Sequence, residues 1–137
     1  MVNKVILIGN LGKDPEIRKL ESGASVARFS LATNENYKDK SGEWQTQTEW
    51  HDVVLWRNLA ERAENSLKKG FMIYLEGKLT TRSWEDQEGN KRRTTEVVGS
   101  YFRNLTKKEG MGTNEPNGEN TSNHFDSAEA EDDDLPF

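Results

Sequence analysis

A small all-β barrel carrying one helix is what this sequence predicts, and three observations predict it. Five segments between Val2 and Leu105 place apolar residues in strand patterns, and only the segment after Arg57 carries the wider spacing of an amphipathic helix. Turn signals separate the segments, among them Glu21-Ser22-Gly23, Ser41-Gly42 and Gly89-Asn90. A chain of 137 residues has room for one core and a tail, and with no cysteine that core is built without disulfides or a thiolate zinc site.

Taken in order, Val2 to Leu11 is apolar on both faces, with Val5 and Leu7 pointing one way and Ile6 and Ile8 the other. A strand covered on both sides suggests that one face meets a second copy of the chain, and Val5 and Leu7 are assigned to that contact. Gly9-Asn10-Leu11-Gly12-Lys13 lacks the spacing of a phosphate-binding loop, because Asp14-Pro15 stands where a Ser or Thr and a helix start belong. Ile17 to Leu20 is a short segment between two turns. Val26 to Asn34 alternates, with Ala27, Phe29 and Leu31 on one side and Arg28, Ser30 and Ala32 on a wet one. Glu35 to Gln47 reads as a mobile polar hairpin interleaving Tyr37, Lys38, Lys40 and Trp44.

Thr48 to Arg57 is the central strand. Glu49, His51, Val53 and Leu55 share one face, and Trp50, Asp52, Val54 and Trp56 share the other. Two tryptophans six positions apart stand roughly 20 Å from each other at about 3.3 Å per residue, too far to pack together but far enough to admit several bases between them. The alternative reading packs this face into a core.

The helix follows, with Asn58 as N-cap, Glu61 as its capping-box partner and Gly70 as its end. Its apolar stripe of Leu59, Ala60, Ala63 and Leu67 is narrow, so it covers a sheet on one side only. From Phe71 to Trp84 the strand period returns, with Phe71, Ile73, Leu75 and Leu79 inward and Tyr74, Glu76, Lys78, Thr80, Arg82 and Trp84 outward. Gly77 marks a bend or bulge, and Arg92 to Leu105 is the last strand. Three strands, a helix and two more strands is the layout of a five-stranded Greek-key barrel of the oligonucleotide-binding type.

Charge is unevenly divided. All 19 Lys and Arg lie at or before Lys108, where they meet 15 Asp and Glu for a net +4, while the following 29 residues carry 9 acids and no base. A mildly cationic body with an anionic tail suits a polyanion held by one part and something else held by the other. Outward Tyr37, Trp50, Trp56 and Trp84 are the expected base-stacking rings, with Lys4, Lys38, Lys40, Arg57, Lys69, Lys78 and Arg82 as phosphate contacts. Single strands are favoured over duplexes, whose bases hide their faces. An RNA-binding barrel, a purely protein-recruiting adaptor and an undetected nuclease are the alternatives.

Catalysis finds little support in the composition. The body has one histidine, His51, read as structural or as a contact between copies, with Tyr74 assigned to the same contact. No catalytic set, metal site or cofactor is expected, and His124 has no second ligand nearby in the sequence. The opening residues do not form a secretory signal and no apolar run reaches membrane-spanning length, so a soluble cytoplasmic protein without a membrane partner is expected.

The domain of residues 1–108 is expected to be followed by a disordered linker over 109–131. At 132–137 stands an acidic, apolar-tipped segment, Asp132, Asp133, Asp134, Leu135, Pro136 and Phe137, which suits docking on a partner that offers a pocket and basic residues.

Several motifs together resemble the bacterial single-stranded DNA-binding protein family. They are Val2 to Gly12, Asp14-Pro15-Glu16, Thr48-Glu49-Trp50-His51, the Glu76-Gly77 strand leading to Trp84, Thr94 to Val98, and the tip at 133–137. The resemblance implies a homotetramer of barrels wrapped by single-stranded DNA, placed at the nucleoid, with the tip recruiting replication, recombination and repair proteins. Tyr37, Trp50, Trp56 and Trp84 match the family's stacking aromatics by position. Asp52 and Thr80 stand where relatives can carry a base, which implies weaker or less salt-sensitive binding.

Overall fold

The computed structural model describes residues 1–107. The expected linker and docking tip lie outside the described residues. Among the described residues seven elements follow one another: β1 (Val5–Leu11), β2 (Glu16–Lys19), β3 (Ser25–Lys38), β4 (Trp44–Trp56), α1 (Asn58–Ser66), β5 (Met72–Glu85) and β6 (Lys91–Asn104).

Pairing runs β1-β5-β6-β4-β3, and β1 also pairs with β3 through Asn10 and Leu11, so five strands close into a barrel. The helix falls after the third strand of that ring, as the sequence predicts. Every ladder is antiparallel except β4 with β6, where Val53 faces Val97 and Val54 faces Val98. The segment after Asp14-Pro15 forms a sixth strand, β2, a four-residue ladder on Ser25–Arg28 beyond the point where β1 leaves β3.

Side chains of period two fill the interior. Phe29, Leu31, Val53, Leu55, Ile73, Leu75 and Phe102 form the core, and α1 closes one end with Ala60 and Ala63, followed by Leu67. Burying each of the larger side chains contributes about 1.5–3 kcal/mol, the main favourable term in a barrel that has no disulfide.

Five details differ from the sequence reading. Asn58 is the first helical residue rather than the N-cap; Arg57 holds that place with φ 56° and no side-chain cap. The cause is that the Arg57 N–H still donates to Ser25 O at 2.7 Å, so the chain must leave β4 within one residue, and a left-handed backbone makes the corner. The helix also ends before Gly70, which instead serves a later turn where its N–H meets Leu11 O at 2.8 Å.

Leu79, expected inward, is exposed. Its strand leaves the barrel there, since the β1–β5 ladder ends at Val5 and Gly77. The bulge expected at Gly77 is present, with β6 holding the extra residue, Ser100, opposite the Glu76–Gly77 step.

On β1, Val5 and Leu7 pack against the core, and Ile6 and Ile8 are the exposed pair. The outward apolar face of this strand is therefore the opposite of the one assigned to a second copy.

Finally, Glu35 to Gln47 is mostly strand. Thr46 Oγ1 donates to Asn36 Oδ1 at 2.9 Å and Thr48 Oγ1 to Asn34 Oδ1 at 2.8 Å, so polar cross-strand pairs carry the ladder well beyond the core. Only Asp39 to Glu43 is turn. The same turn recurs at Leu20–Ala24 and Asp86–Asn90, each closed by two backbone bonds around a glycine of positive φ.

Candidate nucleic-acid interface

The outer face of β4 supplies the site's axis. Trp50 and Trp56 are 60% and 43% exposed, and Trp84, near the end of β5, is 46% exposed. Several rings of this size left open on one structured surface mark an interaction site. Trp50 leans over bare backbone, because a Cβ at Gly12 would collide with its six-membered ring. The Gly12 N–H is tied to Ser30 O at 2.9 Å, which fixes that seat.

Between the two β4 tryptophans lies a depression of about 220 Å³ whose lining includes Asp52, Val54, Arg28, Arg82, Glu96 and Lys13. Val54 points outward yet is buried, and it forms part of the floor. Glu96, also buried, accepts from Arg28 Nη1 at 2.9 Å and pairs with Arg82 Nε at 3.6 Å. One carboxylate thus holds two guanidiniums on the floor of the depression. Arg82 was expected as a phosphate contact; Arg28 was not. Its place on the wet face of β3 was visible, but its register opposite Val54 was not.

The remaining expected cations are dispersed. Lys4 and Lys78 line a separate depression of about 400 Å³ with Glu76, which Lys4 meets at 3.7 Å. Lys38 ends β3 and Lys40 lies in the following turn, while Arg57 occupies the corner after Trp56. Lys69 sits in the turn after the helix, where its N–H donates to Asp14 Oδ1 at 2.7 Å.

Strict alternation along the uninterrupted β3–β4 ladder puts Tyr37 on the opposite ribbon face from Trp50, although it too is exposed. His51 is half-buried and shares a 2.9 Å hydrogen bond with Thr33 Oγ1. Tyr74 stands edge-on to Tyr101, with ring centroids 6.3 Å apart, and donates to Glu76 Oε1 at 2.7 Å. That bond to a carboxylate, more than desolvation, holds the Tyr74 hydroxyl above its ordinary pKa.

An all-β barrel with tryptophans open around an arginine-bearing floor defines an oligonucleotide-binding type of surface. Comparison with known proteins agrees. Residues 2–105 match the model of the single-strand binding protein family. A solved structure described as a Plasmodium falciparum SSB complex with ssDNA is 36% identical, with a TM-score of 0.72, covering 77% of this chain and 97% of that one. A deletion mutant of the single-stranded DNA binding protein from Thermus aquaticus is 31% identical with a TM-score of 0.68, covering 77% of this chain and 51% of that one. The chain belongs to the single-strand binding protein family.

Proposed function

We propose that this chain binds single-stranded DNA without reading its sequence, by stacking bases on Trp50, Trp56 and Trp84 while phosphates meet Arg28, Arg82 and the outlying cations. The observation that carries the reading is the exposure of the three rings around the Glu96-held arginines. Each stacked base contributes about 1–3 kcal/mol whatever its identity, so the surface favours unpaired strands. Tyr37 stacks only if the strand passes around the hairpin edge.

The exposed Ile6 and Ile8, with Tyr101 and Tyr74 on a neighbouring outer face, support self-association, and the family resemblance makes a homotetramer the assembly we propose. Asp132 to Phe137 acts in this reading as the docking tip for replication, recombination and repair proteins, joined by the 109–131 linker to the binding domain of residues 1–108. The chain is neither an enzyme nor a cofactor protein here, and it works in the cytoplasm at the nucleoid. Parallel anisotropy titrations with matched DNA and RNA oligomers, with a native mass measurement of the same sample, test this. DNA preference and a mass near four chains support it; RNA preference would favour the alternative barrel function.

A further inference from the structure

We propose that Trp44 is an additional base-stacking platform, extending the single-strand path from Trp50 to the tip of the β3–β4 hairpin; the proposal rests on the DNA-binding reading above. Strand β4 begins at Trp44 and ends at Trp56, so tryptophans recur at positions 44, 50 and 56, each six residues apart. An even spacing keeps side chains on one face as long as no bulge intervenes. The ladder from Val26↔Trp56 to Lys38↔Trp44 has no break.

The side-chain bonds Thr46–Asn36 and Thr48–Asn34 lie on that same face between Trp44 and Trp50. Successive rings stand roughly 20 Å apart at about 3.3 Å per residue, the same interval as between Trp50 and Trp56. The hydroxyls and amides between them offer hydrogen-bond partners to a sugar-phosphate chain.

Trp44 is 72% exposed, more than any other tryptophan here. Its backbone is nonetheless held in the β3–β4 ladder opposite Lys38, and its two chain neighbours are both tied to Asp39. Asp39 Oδ1 accepts from the Glu43 N–H at 2.9 Å, and Asp39 Oδ2 accepts from Gln45 Nε2 at 3.1 Å. A backbone already ordered in this way leaves only the ring's own rotation to be lost when a base covers it. Lys38 is its cross-strand partner and Lys40 lies in the turn, so cations flank the platform. The nearest residues on its own face, Lys38, Thr46 and Asn36, are polar or charged and make no apolar patch with it for a second copy to cover. A lone open ring among cations and polar groups fits an unpaired base.

The test compares Trp44→Ala, Trp44→Phe and Trp50→Ala in the full chain, using end-labelled oligothymidines of increasing length and several salt concentrations. Trp44→Ala is expected to weaken binding by roughly 5- to 100-fold for oligomers long enough to reach the tip, and to leave the shortest binding oligomers unaffected. Trp44→Phe should restore most of the loss, and the slope of log K against log salt should stay unchanged, because a ring rather than a charge was removed. Unaltered binding by Trp44→Ala beside weakened binding by Trp50→Ala overturns the proposal alone. Unaltered binding by both variants shows that the strand does not stack on β4 and overturns the proposal with the site, whereas a parent protein that binds none of the oligomers overturns the DNA-binding reading itself. A Trp44→Ala protein that binds normally but has a smaller native mass would give the ring to a contact between copies and also overturn the proposal.

Discussion

Glu96 and Arg28 meet across the floor of the groove at 2.9 Å, one on β6 and the other on β3, with the buried Val54 of β4 between those strands. The carboxylate is buried while the Arg28 side chain remains partly open, so a cation is anchored from below and presented outward. Removing the anchor leaves two guanidiniums without their common partner. Glu96→Ala is expected to destabilise the fold by about 1–2 kcal/mol, toward the low end for a charged hydrogen bond because solvent screens the exposed arginines. Urea unfolding checks this, and a midpoint equal to that of the parent protein would contradict it.

Gly12 is the seat of Trp50, and the residue matters for what it lacks. Gly12→Ala should leave the core intact while pushing the ring from its place, because the added methyl meets the ring and Ser30 Oγ. Oligothymidine binding should weaken several-fold, within the roughly 1–3 kcal/mol that one stacked base contributes. Titration of the folded variant tests this; parental affinity would show that the ring's position is unimportant.

Asp52 puts a negative charge into a depression that Arg28, Arg82 and Lys13 also line. Asp52→Arg should tighten binding at low salt and steepen the slope of log K against log salt by about 0.7 for each phosphate newly neutralised. An unchanged slope would mean that the strand does not pass over this depression.

The β3–β4 turn depends on ionised Asp39. Hydrogen bonds from the Ser41 hydroxyl and the Glu43 N–H, with lesser help from Gln45 and the Ser41 N–H, lower its pKa from 3.8 to about 2. A depressed carboxylate pKa means that its stabilisation is complete above 3.8 and is lost as pH falls through about 2. The Glu43 amide should therefore stay protected from hydrogen exchange at pH 4 and lose that protection near pH 2. In Asp39→Ala, which has no side-chain acceptor, that protection should be missing at both.

Much of the barrel is legible in the sequence because its core strands alternate cleanly, as at Ala27, Phe29 and Leu31, and because Trp50 and Trp56 share a face with charged Asp52 rather than with the core residues Val53 and Leu55. What is hidden depends on neighbours. Nothing local distinguishes Val5 and Leu7 from Ile6 and Ile8, since all four are aliphatic and only the barrel's closure decides which pair faces in. The polar run Gln45-Thr46-Gln47 reads as loop by hydropathy, yet Thr46, like Thr48 after it, pairs with an asparagine across the ribbon, and so the strand placement of Trp44 escapes a hydrophobic pattern. Arg28 and Glu96 lie 68 positions apart, and only the β3-β4-β6 order brings them together.

The most direct test of the central claim follows tryptophan emission while oligothymidine is added, beside the same titration with a blunt duplex. Stacking on open rings predicts saturable quenching by the single strand and little response to the duplex. Emission that stays constant with the single strand, or duplex binding of equal strength, would contradict it.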